Sequence, residues 1–165
     1  MTAPLGAEVR GPAIVRIIWE DWADRSLALP SYATPGAAGA DIRANLPLDQ
    51  REAGMTLAPM QRVVVPTGIR VEIAPQFEMQ IRPRSGLAVK HGISLPNTPG
   101  TIDSDYRGPL GVALINLGAA SYTIRHGDRI AQAVIAPVVQ ARFVVAETLS
   151  QTARGEGGFG STGRT

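Results

Sequence analysis

Apolar positions in this chain fall into short alternating or β-branched runs, and no run keeps a helical stripe for more than about two turns. The run 13–19, AIVRIIW, is rich in β-branched residues and predicts a first strand. A Pro/Ala/Gly-rich loop over 29–39 precedes a short strand at 40–44. Residues 62–65 and 69–73 flank Pro66-Thr67-Gly68, which reads as a turn between two strands. Residues 77–82 alternate apolar and polar, the period of a half-buried strand. Residues 111–116 and 130–135 are more uniformly apolar and predict buried strands, and 142–145 predicts a last short one. Only 85–92 suits a short helix, with Ser85 near its start and Gly92 ending it.

Turn signals recur every eight to twelve residues or so, the spacing of an all-β sandwich or barrel. The 165 residues suit one domain, without an internal repeat or a dividing linker. The expected organisation is a fraying extension over 1–12, a β domain over 13–150 and a glycine-rich arm over 151–165.

Composition narrows the function. Gly (18) and Pro (13) exceed their usual share, in keeping with many short elements joined by turns. Aromatic residues make up only 5%, so Val, Ile, Leu and Ala must fill the core. A net charge of +2 does not describe a basic nucleic-acid surface. The chain has no Cys, hence no disulfide framework and no thiolate zinc site. No signal peptide opens it and no apolar run is long enough to cross a membrane, so a cytoplasmic location and no membrane partner are expected.

Candidate chemistry concentrates in a few segments. The run 154–163, RGEGGFGSTG, cannot pack a core. Its glycines let backbone approach a ligand, Arg154 offers a planar fork for phosphate, and Ser161 and Thr162 add hydroxyls. Read alone, it is also an ordinary loose tail. The run 98–110 is dense in polar groups; there Asp103 follows an apolar pair, where a carboxylate at a strand edge can act as a general base. The plainer reading is a hairpin whose Asp and Ser satisfy turn backbone. Tyr106 suits either a core or a stacking surface. Arg84 and Ser85 stand at the predicted helix start, a place for an anion or merely a surface Arg beside a capping Ser. Asp41 is either a turn-capping carboxylate or a group that positions metal-bound water. Gln132, inside an apolar strand, either faces solvent or needs a polar partner. His91 and His126 have no ligand spacing and read as structural or exposed.

Together these segments resemble the trimeric dUTPase family. Five short motifs occur in the family's order: AGADIRA at 38–44, RPRSGLAVKHGI at 82–93, PGTIDSDYRG at 99–108, GDRIAQ at 127–132 and the glycine-rich run from Arg154. They span residues 38 to 163, with Ala40, often a larger apolar residue in the family, as a mild variation. The N-terminal dozen lies outside the resemblance.

The resemblance implies a distorted jelly-roll β-sandwich or barrel with one short helix and a flexible C-terminal arm. It implies hydrolysis of dUTP to dUMP and pyrophosphate, which supplies dUMP for thymidylate synthesis and keeps uracil out of DNA. Asp103 would activate the attacking water. Arg84, Ser85, Gly86 and Gln132 would bind phosphates, and Asp41 would reach Mg²⁺ through water. The base would sit in a hairpin over 97–111, with Asn97, Thr101, Ile102 and Gly111 around it and Tyr106 under the deoxyribose. Arg154, Phe159, Gly160, Ser161 and Thr162 would close over a site shared between subunits of a homotrimer. Two alternatives stand on the same fold: a dCTP deaminase-like or bifunctional enzyme, and a non-catalytic nucleotide-sensing module. A capsid-like jelly roll would leave the five polar motifs without purpose.

Overall fold

The computed structural model describes residues 13–158. Eleven strands and one α-helix follow in the order β1 (Val15–Trp19), β2 (Ser31–Tyr32), β3 (Ala40–Arg43), β4 (Met55–Leu57), β5 (Arg62–Ile73), β6 (Phe77–Pro83), α1 (Ser85–His91), β7 (Ile93–Ser94), β8 (Gly100–Ile102), β9 (Pro109–Asn116), β10 (Tyr122–Ile124) and β11 (Arg129–Pro137), with a 3₁₀ turn at Leu48–Gln50 between β3 and β4. A four-stranded sheet has the order β1-β5-β9-β7, a five-stranded sheet β2-β3-β11-β6-β8, and β10 pairs β4. The expected all-β, jelly-roll-like architecture is therefore present.

Alternation places the core. Along β9, Leu110, Val112, Leu114 and Asn116 point inward, while along β6 Met79 and Ile81 do. All but Asn116 meet Ile42, Leu46, Val65, Val71, Ile73 and Ile130 in one apolar cluster. Burying each such side chain contributes about 1.5–3 kcal/mol, which offsets the small number of aromatics. In β11, Ile130 and Ala131 are both buried because the pairing with β3 slips between Arg129 and Ala131.

Two expected elements differ. Residues 62–65 and 69–73 are one strand, and Pro66-Thr67-Gly68 is a bulge within it, not a turn. The pairing with β9 jumps from Pro66↔Gly111 to Arg70↔Pro109. Gly68 takes φ +69° there, and a Cβ would sit 2.7 Å from Asn45 Nδ2. The chain therefore bends without reversing. Residues 142–145 form no strand: no neighbouring strand pairs with them, and Phe143 is 94% exposed. β-Branched composition alone does not make a strand without a ladder partner.

The helix matches its expected span. Gly92 ends it at φ +71°, and its N–H returns to Ala88 and Leu87 carbonyls. Ser85 is not the cap: Arg84 occupies that position in extended backbone, with no side-chain cap bond. The buried amide of Asn116 is satisfied. Asn116 Nδ2 donates to Leu57 O at 2.9 Å and Ala120 O at 2.8 Å, and its Oδ1 accepts Gly118 N–H at 2.8 Å. Among the described residues no helix is long and apolar enough to cross a membrane.

Candidate active site

Strand pairing explains the first cluster. β3 and β6 flank β11, so Gln132 stands opposite Asp41 on one side and Arg82 on the other. Asp41, only 10% exposed, lies between two guanidiniums. Arg129 Nη1 donates to Asp41 Oδ2 at 2.9 Å. Arg84 Nε lies 3.2 Å from Oδ1 but is not aligned to donate, so Oδ1 is buried without a hydrogen-bond partner. Arg84 Nη1 instead donates to Arg129 O at 3.0 Å, and Arg43 Nη1 to Gly127 O at 2.7 Å. Arg43, Arg84, Arg129, Asp128 and Tyr122 line a recess of about 270 Å³. Three fixed positive charges thus face two carboxylates, an excess that favours an anion. Burial raises the Tyr122 hydroxyl pKa, so the phenol stays neutral beside these arginines.

Two glycines tighten this region for opposite reasons. A Cβ on Gly39 would lie 3.0 Å from Gln132 Cβ, so that glycine makes room for Gln132. Gly86, at the exposed helix start, would meet no protein atom within 4 Å. Nothing else in the described chain demands glycine there, and Ser85 is equally exposed.

The second group lies on the turn after β8. Tyr106 N–H donates to Asp103 O at 3.2 Å, which closes the turn. Asp103 is exposed and opens, with Glu78, Ser104 and Asp105, into a recess of about 580 Å³. Tyr106 lines another of about 330 Å³ with Gly111, Val64, Trp22 and Glu20, and its hydroxyl donates to Pro109 O at 3.0 Å. A Cβ on Gly108 would strike the Tyr106 hydroxyl. Asn97 leans over Gly100, with Nδ2 3.2 Å from where a Cβ would stand. Thr101 is exposed and Ile102 half-buried on β8.

The expected hairpin over 97–111 is not one. β8 pairs with β6 in the five-stranded sheet, while β9 pairs with β5 in the four-stranded sheet. The segment crosses between sheets and carries its polar turn at the crossing. One chain therefore brings Asp41, Arg84 and Gln132 together, but leaves Asp103 and Tyr106 in separate recesses. Arg154 is exposed, with Nε donating to Gly157 O at 2.7 Å. Phe159, Gly160, Ser161 and Thr162 lie outside the described residues.

Arg129 is the residue that sequence reasoning missed. It sits inside the quoted GDRIAQ motif, yet its partner Asp41 is 88 positions away. Only the β3–β11 register brings the two together. His126 is structural, as expected: Nδ1 accepts the Leu46 N–H at 3.0 Å, and Nε2 faces Asp24 at 3.1 Å.

Comparison with known proteins places the chain in a family. The dUTPase family profile matches residues 25–163. A protein of Dinoroseobacter shibae named deoxyuridine 5'-triphosphate nucleotidohydrolase is 66% identical over 151 residues, covering 92% of this chain and 97% of its own. One of the same name from Roseobacter denitrificans is 60% identical, covering 90% and 95%. The Staphylococcus bacteriophage 80alpha dUTPase with dUPNHPP superposes with a TM-score of 0.76 at 25% identity, over 91% of this chain and 98% of that one. The profile spans both the Asp41 cluster and the Asp103 turn, and the chain belongs to the dUTPase family.

Proposed function

We propose that this protein hydrolyses dUTP to dUMP and pyrophosphate. The observation that carries the reading is the Asp41–Arg84–Arg129 cluster, with its cationic excess beside the open backbone of Gly86. A triphosphate fits such a place: guanidiniums neutralise it and glycine backbone approaches it closely. Close relatives named for deoxyuridine 5'-triphosphate hydrolysis give the base and sugar.

The reaction follows as an in-line displacement. Asp103 accepts a proton from water as the water oxygen bonds to the α-phosphorus. The bond from that phosphorus to the bridging oxygen breaks, and pyrophosphate leaves with its electron pair. Arg84, the Ser85 hydroxyl, Gly86 N–H and Gln132 hold the departing phosphates. Arg154 joins them from the arm, with Gly160, Ser161 and Thr162, while Phe159 covers the base. Asn97 and the backbone of Thr101, Ile102 and Gly111 meet the uracil edge. Tyr106 lies under deoxyribose and leaves no space for a 2′-hydroxyl.

Mg²⁺ is the implied metal, and when bound it offsets phosphate charge. The chain's donors fit an indirect role. Asp41 Oδ1 is buried without a hydrogen bond and can accept one from metal-bound water. Among the described residues no group of three His, Asp or Glu is placed to hold a metal ion. A phage phi11 dUTPase of the same fold is described with a structural Mg(II) ion.

The family resemblance implies a homotrimer, and the separation of the recesses supports sites shared between copies. Asp103 and Arg84 line different recesses of one chain, and a neighbouring copy would supply the part each lacks. The protein acts in the cytoplasm, where its nucleotide substrate is found.

Pyrophosphate release with Mg²⁺, compared across dUTP, dCTP, dTTP and UTP, tests the reading. Release from dUTP alone is expected. No release from dUTP would overturn it, and ammonia from dCTP would move the assignment to a deaminase.

A further inference from the structure

Glu20 and Arg70 belong to none of the five motifs, yet they meet at the base of the turn that carries Asp103 and Tyr106. Arg70 Nε donates to Glu20 Oε1 at 2.6 Å, and Nη2 reaches Oε2 at 3.5 Å. The Glu20 side chain is only 14% exposed, against 42% for Arg70. The carboxylate is thus covered by the guanidinium, which leaves the other edge of the fork to act elsewhere. That edge faces the turn: Arg70 Nη1 lies 3.5 Å from Arg107 O. Strand register puts Arg70 opposite Pro109, where the turn enters β9.

The turn is otherwise held by its own atoms. Arg107 Nη1 folds back to Ser104 O at 2.7 Å and Tyr106 O at 2.8 Å. Three carbonyls of the turn therefore face two guanidiniums, and only that of Arg70 is rooted in another strand. Its root is rigid. Thr67 Oγ1 donates to Leu110 O at 2.6 Å, and Glu20 N–H donates to Gly68 O at 2.8 Å, fixing the β5 bulge from both sides.

We propose that Arg70, oriented by Glu20, is a positioning residue that sets the turn bearing Asp103 and Tyr106 in its working geometry. The inference rests on the dUTP reading for its kinetic consequence, because Tyr106 there meets the sugar and Asp103 the attacking water. A displacement of about 1 Å at such groups costs up to a hundredfold in rate. Lys at position 70 can satisfy Glu20 or the carbonyl, but it lacks the planar fork to hold both.

The test uses the full-length protein with R70M, R70K and the exchanged pair E20R/R70E. R70M should keep its circular dichroism, while amide hydrogen exchange across 103–109 quickens about tenfold and that of β11 stays unchanged. Its KM for dUTP should rise about fivefold to tenfold with a smaller fall in kcat, and its preference for dUTP over UTP should narrow. R70K should recover less than half of the loss. The exchanged pair keeps the ion pair but moves the guanidinium off β5, so it should behave as R70M does. Wild-type exchange and KM in R70M, or full recovery in the exchanged pair, would overturn the proposal and leave a plain bond between β1 and β5. If R70M does not fold, R70Q, which keeps one donor, is judged by the same readouts. A wild-type protein inactive on dUTP would sink the functional reading alone, since hydrogen exchange still decides Arg70.

Discussion

His126 Nε2 lies 3.1 Å from Asp24 Oδ2, joining residues 102 apart in sequence. Because Nδ1 accepts the Leu46 N–H, the ring proton belongs on Nε2 and points at the carboxylate. The other oxygen of Asp24 accepts the Ser26 hydroxyl at 2.6 Å and its N–H at 2.9 Å. Asn45 locks the same loop, giving Nδ2–H to Asp24 O and taking Asp24 N–H on Oδ1. The cluster pins residues 22–26 beside the β5 bulge.

Those bonds give a pH prediction. Ser26 hydroxyl and N–H, then His126, hold the Asp24 carboxyl well below its ordinary value of 3.8; desolvation opposes them, and Arg51 adds the smallest lowering. A carboxylate depressed in the folded state contributes stability above its unfolded pKa and loses it as pH falls. Wild-type Tm should therefore hold above about pH 4 and fall below it. D24N should melt lower at pH 7, because its amide donor meets the Nε2–H donor. Its Tm should also change less between about pH 4 and pH 2. Melting curves across that range decide; an acid slope equal to wild type removes Asp24 as a contributor.

Asp103 carries a different expectation. Replacing it with Asn keeps the shape of an exposed turn residue whose backbone carbonyl makes the closing bond. The loss should fall on proton transfer, at about a thousandfold in kcat with KM and the fold little changed. Steady-state kinetics and nucleotide titration of D103N check this. Near-normal turnover would take Asp103 out of the mechanism.

How far the fold was legible depended on length and period. β6 was expected over 77–82 and runs Phe77–Pro83, because alternation over six residues has few competing readings. Helix α1 was legible from Gly92, whose positive φ is a backbone requirement written in residue type. β2 and β7 have two residues each, and β4, β8 and β10 have three, too few to display a period. The bulge at Pro66-Thr67-Gly68 uses turn residues to bend a strand, and local composition cannot tell that from a reversal. The site followed the same rule. Asp41, Arg84 and Gln132 were legible as types within motifs, whereas the Asp41–Arg129 pair depends on register across 88 positions. The Glu20–Arg70 pair, 50 apart and outside any motif, had no local signal.

Asn116 tests the core. Its buried amide bridges Leu57 O, Ala120 O and Gly118 N–H, holding the turn after β9 to β4. Asn116→Ala leaves the buried Leu57 carbonyl unpaired and removes the two part-buried bonds to Ala120 and Gly118, and should destabilise the fold by about 3 kcal/mol. Urea unfolding should show a lower midpoint with an unchanged slope. Asn116→Asp keeps an acceptor for Gly118 but loses both donated bonds, so it should not restore stability. An N116A midpoint equal to wild type would mean that the three groups find other partners.

The arm gives the last prediction. Beyond β11 the described chain has no strand, and Val139, Phe143, Val145 and Leu149 stand 89% to 104% exposed. Among the described residues the Arg154 side chain bonds to its own turn, through Gly157 O. The sheets described above use nothing from 154 onward, so ending the chain at residue 153 should leave the β domain folded. Activity should nevertheless fall by at least about a hundredfold if, as proposed, the arm brings a guanidinium to the phosphates and a cover that excludes water. Substrate, not stability, then separates two roles for the segment. Full-length protein should gain protease resistance at 151–165 on adding a non-hydrolysable dUTP analogue with Mg²⁺, whereas thymidine triphosphate should give none. Protection without nucleotide, or a truncated protein that fails to fold, would make the arm part of the scaffold instead of a closing element.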